Sequence, residues 1–155
     1  VSVFGVISQA AMLVESRRRQ VEATIVLPEI SDALAVQADP QRLEQVLVNL
    51  LLNALDAVAT APERHIVVHV EEGATEVQLR LRDSGAGIPE AIRAHLFEPF
   101  FTTKADGLGL GLSISQSILS RHNGRLWSSA RVGGGTLFSF SIPQPPLDDG
   151  PRMPG

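Results

Sequence analysis

Residues 40–59, PQRLEQVLVNLLLNALDAVA, constrain the fold more than any other stretch of this chain. Apolar side chains recur at Leu43, Val46, Leu47, Leu50, Leu51, Ala54 and Val58. This 3–4 spacing predicts an amphipathic helix. At 100° per residue, Val48, Leu52 and Leu55 widen the apolar surface and leave a polar strip roughly 80° across. Arg42, Gln45, Asn49, Asn53 and Asp56 share that strip. Asparagine is a poor helix former, because its amide competes for backbone hydrogen bonds. Two asparagines at i and i+4 are therefore either part of a solvated face or amides lining a cavity where they hold a metal or phosphate. The stretch alone leaves both readings open.

The segments before this helix lead up to it. Residues 2–20 predict a helix with Ser2 as N-cap and Phe4, Ile7, Ala11 and Val14 at helical spacing. Arg17, Arg18 and Arg19 fall near its end, where cations suit the helix dipole. Strands are expected at residues 23–27, stopped by Pro28, and at residues 35–38. Asp39 is the expected N-cap of the long helix, with Pro40 in its first turn.

Beyond the helix, residues 65–72 and 76–82 alternate around a Gly73-Ala74 turn and predict a hairpin. Ile66, Val68 and Val70 share one face, as do Val77, Leu79 and Leu81. The hairpin runs directly into Asp83-Ser84-Gly85-Ala86-Gly87. Residues 89–96 predict a short helix and 97–111 a loop. Residues 110–122 return to helical spacing, with Gly124 as the expected stop. A second hairpin is expected from 125–129 and 136–142, with Phe138, Phe140 and Ile142 pointing inward. Hairpins and helices that do not strictly alternate indicate an α+β fold, one mixed sheet with helices on one face. The expected domain is 1–143, followed by a flexible proline-rich tail at 144–155.

Bulk properties exclude several classes. A chain of 155 residues, 44% hydrophobic and 19% charged, suits one globular domain. A net charge of −4 without a long basic run argues against nucleic-acid binding. There is no cysteine, hence no disulfide and no thiolate metal site. No apolar run reaches transmembrane length and no signal peptide is visible, so direct membrane contact is not expected and the composition fits the cytoplasm. The chain starts at Val1 and reads as a fragment of a longer protein.

Several residues offer chemistry. Asp83 ends a strand just before two glycines, where a carboxylate can accept a hydrogen bond from an exocyclic amine such as that of adenine. Gly85 and Gly87 carry no Cβ, so backbone there can pass close to a flat ring. The alternative is an ordinary Asp-Gly turn. Gly107, Gly109 and Gly111 lead into a helix whose free N–H groups favour phosphate. This is neither a P-loop nor a dinucleotide-binding fingerprint. Lys104 can reach a phosphate there or be a solvated lysine. Phe97, Phe100 and Phe101 suit either a small hydrophobic anchor or the packed foot of a hinged lid. His65, His69, His95 and His122 read as structural or surface residues. No Ser/His/Asp arrangement suggests a hydrolase.

The order of these signals is more specific than any one of them. NLLLNALDA, DSGAGIP, LFEPFFTTK, GLGLGLSIS and GGGTLFSFSIP, in that sequence, resemble the N box, first glycine box, F box, second glycine box and final glycine motif of bacterial sensor histidine kinase catalytic domains. The resemblance runs from about Val1 to Pro143. It is similar in particular to the nitrogen-regulation and dicarboxylate-transport sensors. It implies a Bergerat fold, a two-layer α/β sandwich of a mixed sheet under about three helices with an ATP lid. It implies ATP and Mg²⁺ as cofactors, with Asn53 as the metal ligand and Asn49 facing the same site. Asp83 matches the adenine-reading aspartate, with Gly85, Gly87 and Ile88 beside it. Gly107, Leu108, Gly109, Leu110, Gly111 and Leu112 match the lid and phosphate-facing turn. Phe101, Thr102, Thr103 and Lys104 match the TTK segment, with Lys104 facing phosphate. Asp56 and Thr136 complete the implied nucleotide contacts.

Related ATPases of this fold carry a water-activating glutamate where this chain has Asn49. An amide cannot act as a general base. The resemblance therefore implies transfer of the γ-phosphate to a histidine rather than dedicated hydrolysis. The acceptor histidine of the family is usually followed by an acidic residue, but here Ile66, Val70, Leu96 and Asn123 follow the four histidines. The dimerisation domain that bears the acceptor is thus expected outside this fragment, which is expected to be monomeric and unable to phosphorylate itself. The implied partners of the full-length homodimer are that domain and a response regulator, and the implied setting is the cytoplasmic side of a membrane-anchored sensor. The rival readings are a nucleotide-binding docking module without phosphotransfer, and an ATPase of the wider fold family.

Overall fold

The computed structural model describes residues 1–85, 111–130 and 135–145. In chain order its elements are α1 (Val3–Leu13), α2 (Glu15–Val21), β1 (Thr24–Val26), α3 (Pro40–Val58), β2 (His65–Glu72), β3 (Glu76–Asp83), α4 (Gly111–Arg121), β4 (Arg125–Ala130) and β5 (Thr136–Pro143).

Helix α3 begins where its sequence says. The Asp39 carboxylate accepts from the N–H groups of Gln41 and Arg42 at 2.9 and 3.2 Å, and Pro40 fills the first turn, where no N–H is needed. Leu43, Val46, Leu47, Leu50, Leu51, Ala54, Leu55 and Val58 are buried. Leu52 is not: it is 37% exposed. At 100° per residue it stands about 60° from Asn49, so it borders the polar strip instead of widening the apolar face.

The expected helix over 2–20 is two helices. Ser2 Oγ caps α1 by accepting from the Gly5 N–H, but Val14 leaves helical geometry at φ −99°, ψ 5°. Glu15 then opens α2 and pairs with Arg18 and Arg19, so these cations answer a carboxylate as well as the helix dipole. The strand expected at 35–38 is reduced to one bridge, Ser2 to Ala35. Its partner is the short run Val1–Ser2, and pairing ends because α1 starts at Val3.

The five strands form one mixed sheet in the order β1-β2-β3-β5-β4. β1 runs parallel to β2, and every other pair is antiparallel. Both expected hairpins are present. Along β3 the period of two buries Val77, Leu79, Leu81 and, at its end, Asp83. These side chains meet those of α3, and α1, α2 and α4 pack beside α3, giving one core that includes Leu50, Leu79 and Phe140. Four helices are described where about three were expected, because Val14 splits the first. This is the α/β sandwich expected from the motifs.

Gly124 stops α4 as expected, its N–H donating to the Leu119 carbonyl at 2.7 Å, and it has a second task. The left-handed residue after α4 is Asn123, at φ 60°. Gly124 is where the chain passes β5: a Cβ there would lie 2.1 Å from the Ser141 carbonyl oxygen. His122 is structural, as expected. Its Nε2 accepts from the Asp39 N–H at 3.2 Å, so Nδ1 carries the proton and donates to the Ile118 carbonyl at 2.7 Å. That side chain ties the end of α4 to the start of α3. Gln144, placed by sequence in the tail, still donates its N–H to the Thr75 carbonyl at 3.0 Å. The expected helix at 89–96, the lid residues 97–110 and the tail from 146 lie outside the described residues.

Candidate functional site

Three elements contribute described residues to the candidate site. The first is the polar strip of α3. Asn49 and Asn53, one turn apart, are both half-buried. The Asn49 side-chain amide donates to Ser115 Oγ on α4 at 3.3 Å. Ser115 is fully buried. One turn beyond Asn53, Asp56 accepts from Arg17 of α2 at 2.8 Å. Asp56, an implied nucleotide contact, here forms an ion pair that holds α2 against α3.

The second is the end of β3. Strand alternation carries Asp83 to the helix-facing side, where it is 2% exposed. A buried carboxylate needs donors, and two backbone amides supply them. Asp83 Oδ1 accepts from the Gly85 N–H at 2.9 Å and from the Thr136 N–H at 3.3 Å. Register explains the second bond: Arg82 pairs with Leu137, so the first residue of β5 comes level with Asp83. Thr136 is thereby joined to the aspartate. Ser84 fixes the strand end, its Oγ donating to the Glu63 carbonyl at 2.7 Å and accepting from the His65 N–H at 2.8 Å.

Gly85 is a glycine for a reason of space. A Cβ there would lie 2.7 Å from the Ala57 carbonyl oxygen and 3.1 Å from Asp83 Oδ1. The turn after β3 therefore presses directly on the last turns of α3, the helix that bears both asparagines.

The third is the start of α4. Gly111 opens the helix and Leu112 packs against the core. Gly87, Ile88, Phe101, Thr102, Thr103, Lys104, Gly107, Leu108, Gly109 and Leu110 lie outside the described residues.

These groups suit a purine nucleotide with a divalent cation. A buried carboxylate braced by amides can accept from an exocyclic amine. Mg²⁺ takes oxygen ligands and is bound through one or two protein groups together with phosphates, and amide oxygens on α3 match that need. Among the described residues no group of three His, Cys, Asp or Glu side chains gathers for a metal. Sequence reasoning missed Ser115, Arg17 and Ser84. Ser115 had a signal: it stands at the core-facing 3–4 spacing with Leu112, Ile118 and Leu119, where an apolar residue belongs.

Comparison with known proteins gives the same direction. The family described as histidine kinase-, DNA gyrase B- and HSP90-like ATPases matches residues 38–146. The C4-dicarboxylate transport sensor protein DctB of Pseudomonas aeruginosa is 46% identical over 140 residues, covering 88% of this chain and 23% of that protein. The chain spans less than a quarter of the length of the sensor proteins it matches. Among solved structures, the catalytic domain of histidine kinase ThkA superposes with a TM-score of 0.82 at 35% identity, covering 93% of each chain. ThkA has also been solved in complex with the response regulator protein TrrA; that chain is 32% identical, with a TM-score of 0.79 over 94% of this chain and 41% of its own. Full-length ShkA, in complex with AMPPNP, superposes at a TM-score of 0.78 and 26% identity, over 92% of this chain and 30% of its own.

Proposed function

This chain belongs to the histidine kinase-, DNA gyrase B- and HSP90-like ATPase family and is a catalytic ATP-binding domain of the sensor histidine kinase type; from that premise we propose how its own residues hold and present the nucleotide. Asp83 accepts from the adenine amine, its carboxylate braced by the amides of Gly85 and Thr136. Asn53, with Asn49 one turn earlier, offers amide oxygens to Mg²⁺. An ion held there would offset phosphate charge and help orient the phosphate chain. Lys104 and the backbone amides of Gly107–Gly111 hold the terminal phosphates in line for attack. Residues 1–143 form this unit, and Gln144 is still bonded to it through Thr75.

Transfer, not hydrolysis, is the chemistry this arrangement favours. Asn49 donates its amide to Ser115 and has no basic site with which to activate water. The acceptor is a histidine outside this chain. A ring nitrogen attacks the γ-phosphorus, the bond to the bridging oxygen breaks, and ADP leaves. Of the histidines here, His122 has both ring nitrogens occupied. The partners of the intact protein are a dimerisation domain bearing that histidine and a response regulator, the partner that ThkA holds in its complex. Among the described residues no helix is long and apolar enough to cross a membrane, and we place this domain on the cytoplasmic side of its sensor.

The buried Asp83, held by Gly85 and Thr136 against α3, carries the reading. Calorimetric titration with ATP, with and without Mg²⁺, tests it beside Asp83→Asn and Asn53→Ala. Asparagine at 83 retains an oxygen for the two amides, so the fold is kept. Loss of a charge-assisted hydrogen bond lowers ATP affinity by roughly 10- to 100-fold. Asn53→Ala abolishes the Mg²⁺ dependence. A wild type that binds no nucleotide, or an Asp83→Asn that binds as well as wild type, overturns the site as drawn.

A further inference from the structure

We propose that Arg17 is a positioning residue for the nucleotide site: by pairing with Asp56 it cancels the charge of a carboxylate that would otherwise repel the phosphate chain; this rests on the nucleotide reading above. Of the polar-strip residues Arg42, Gln45, Asn49, Asn53 and Asp56, only Asp56 is acidic. It stands three residues beyond Asn53, and side chains at that spacing on a helix have Cβ atoms about 5–6 Å apart. Phosphates held beside Asn53 come within about a Debye length of that carboxylate, roughly 8 Å at physiological salt. Like charges so close repel, and the phosphate chain carries several. In this reading Asp56 meets the nucleotide through its charge and not through a hydrogen bond.

The cation that answers Asp56 comes from another helix. Arg17 Nη2 donates to Asp56 Oδ1 at 2.8 Å, and Arg17 Nη1 donates to Gln20 Oε1 at 3.0 Å. The guanidinium is thus held on two sides, by its own helix and by the strip. The ion pair is one of several contacts that hold α2. Its side chains are 36% and 33% exposed, and pairs so exposed add little to stability. Val14 and Val21, at the two ends of α2, are buried, and Arg64 donates to the Val21 carbonyl at 2.7 Å. α2 therefore keeps its place without Arg17. A role confined to joining the two helices would leave ATP affinity unchanged when Arg17 is altered, and would give Asp56 no power to reverse a loss.

The test is titration of ATP with Mg²⁺, at low and at high salt, into wild type, Arg17→Gln, Asp56→Asn and the double variant, with urea unfolding of each. Arg17→Gln is expected to lower affinity by roughly 3- to 10-fold at low salt and by less at high salt. Asp56→Asn frees the Arg17 charge and is expected to bind more tightly than wild type. The double variant is expected to return to within about 2-fold of wild type, because without the carboxylate no cation is needed to cancel it. Urea midpoints are expected to agree closely across the set. A double variant as weak as Arg17→Gln overturns the proposal, as do an Asp56→Asn that binds no better than wild type, a loss that salt does not shrink, a loss that follows a fall in urea midpoint, or an Arg17→Gln that binds like wild type. In each of these cases the nucleotide reading stands. A wild type that binds no ATP overturns the nucleotide reading, and this role with it.

Discussion

Replacing Gly85 with alanine joins the fold and the site in one measurement. The added Cβ would meet the Ala57 carbonyl oxygen at 2.7 Å and its carbon at 3.0 Å. That is roughly 0.7 Å inside ordinary van der Waals contact. Both partners are backbone, so no side chain can swing aside. The turn must lift from α3, taking with it the N–H that donates to Asp83 at 2.9 Å. Overpacking of this kind costs about 1–3 kcal/mol. In a domain of this size each kcal/mol moves Tm by about 2–4 °C, so Tm should fall by about 2–12 °C. Gly5→Ala is the internal control. Its Cβ would lie 3.5 Å from Ser2 Oγ, an ordinary contact. It sits inside α1, where alanine is favoured over glycine by about 0.5–1 kcal/mol. The same chemical change should therefore destabilise at 85 and stabilise at 5. Urea and thermal unfolding of both variants, with ATP titration of Gly85→Ala, provide the readout. A Gly85→Ala midpoint at or above that of wild type would refute the argument from close approach.

Leu50 is fully buried on α3, and Leu50→Ala should cost about 3–5 kcal/mol by urea unfolding; a loss under 1 kcal/mol would mean that the core around α3 is not as packed as it looks. Glu15 is held at a pKa of about 2 by its hydrogen bonds to Arg18 and Arg19, the first the stronger, against an ordinary 4.5. Its folded pKa is lowered, so its stabilising effect is complete above pH 4.5 and is lost as pH falls toward 2. Glu15→Gln should remove that part of the acid limb in unfolding midpoints measured from pH 6 to 2. Added salt should shrink the difference, because the pair is solvent-exposed. Superimposable acid limbs would rule the ion pair out as a source of the pH dependence.

Period and capping made much of the fold legible. α3, its Asp39 cap and both hairpins follow from spacing that physical chemistry ties to one conformation each. Val14 shows where that reasoning stops. Its helical spacing is good, and the break lies in φ and ψ that no pattern of apolar residues records. Residues 35–38 fail for a related reason, since a strand is defined by its partner and here the partner is two residues long. Asp83 was legible because alternation along β3 dictates the side it faces. Its bond to the Thr136 amide was not, because that depends on β5 pairing with β3 at a sequence separation of 53. Asp56 lies on the polar strip as its spacing says, but its ion pair with Arg17 is a contact between helices that local spacing cannot express.

The place of β5 between β3 and β4 sets an order in time. During synthesis from the N-terminus, β2 and β3 can pair as soon as both have emerged, and Asp83 stands at the strand end without the Thr136 amide. At about 5–20 residues per second, the next 53 positions take roughly 3–10 s. Throughout that interval β3 is an edge, with one row of N–H and C=O groups open to other nascent chains. Arg80 and Arg82 lie along that edge, and charged side chains are what discourage pairing with strangers there. Asp83 acquires its second amide only when β5 is laid down, so a ribosome-bound or truncated chain has α3 and its asparagines but lacks one of the two backbone donors to this buried carboxylate.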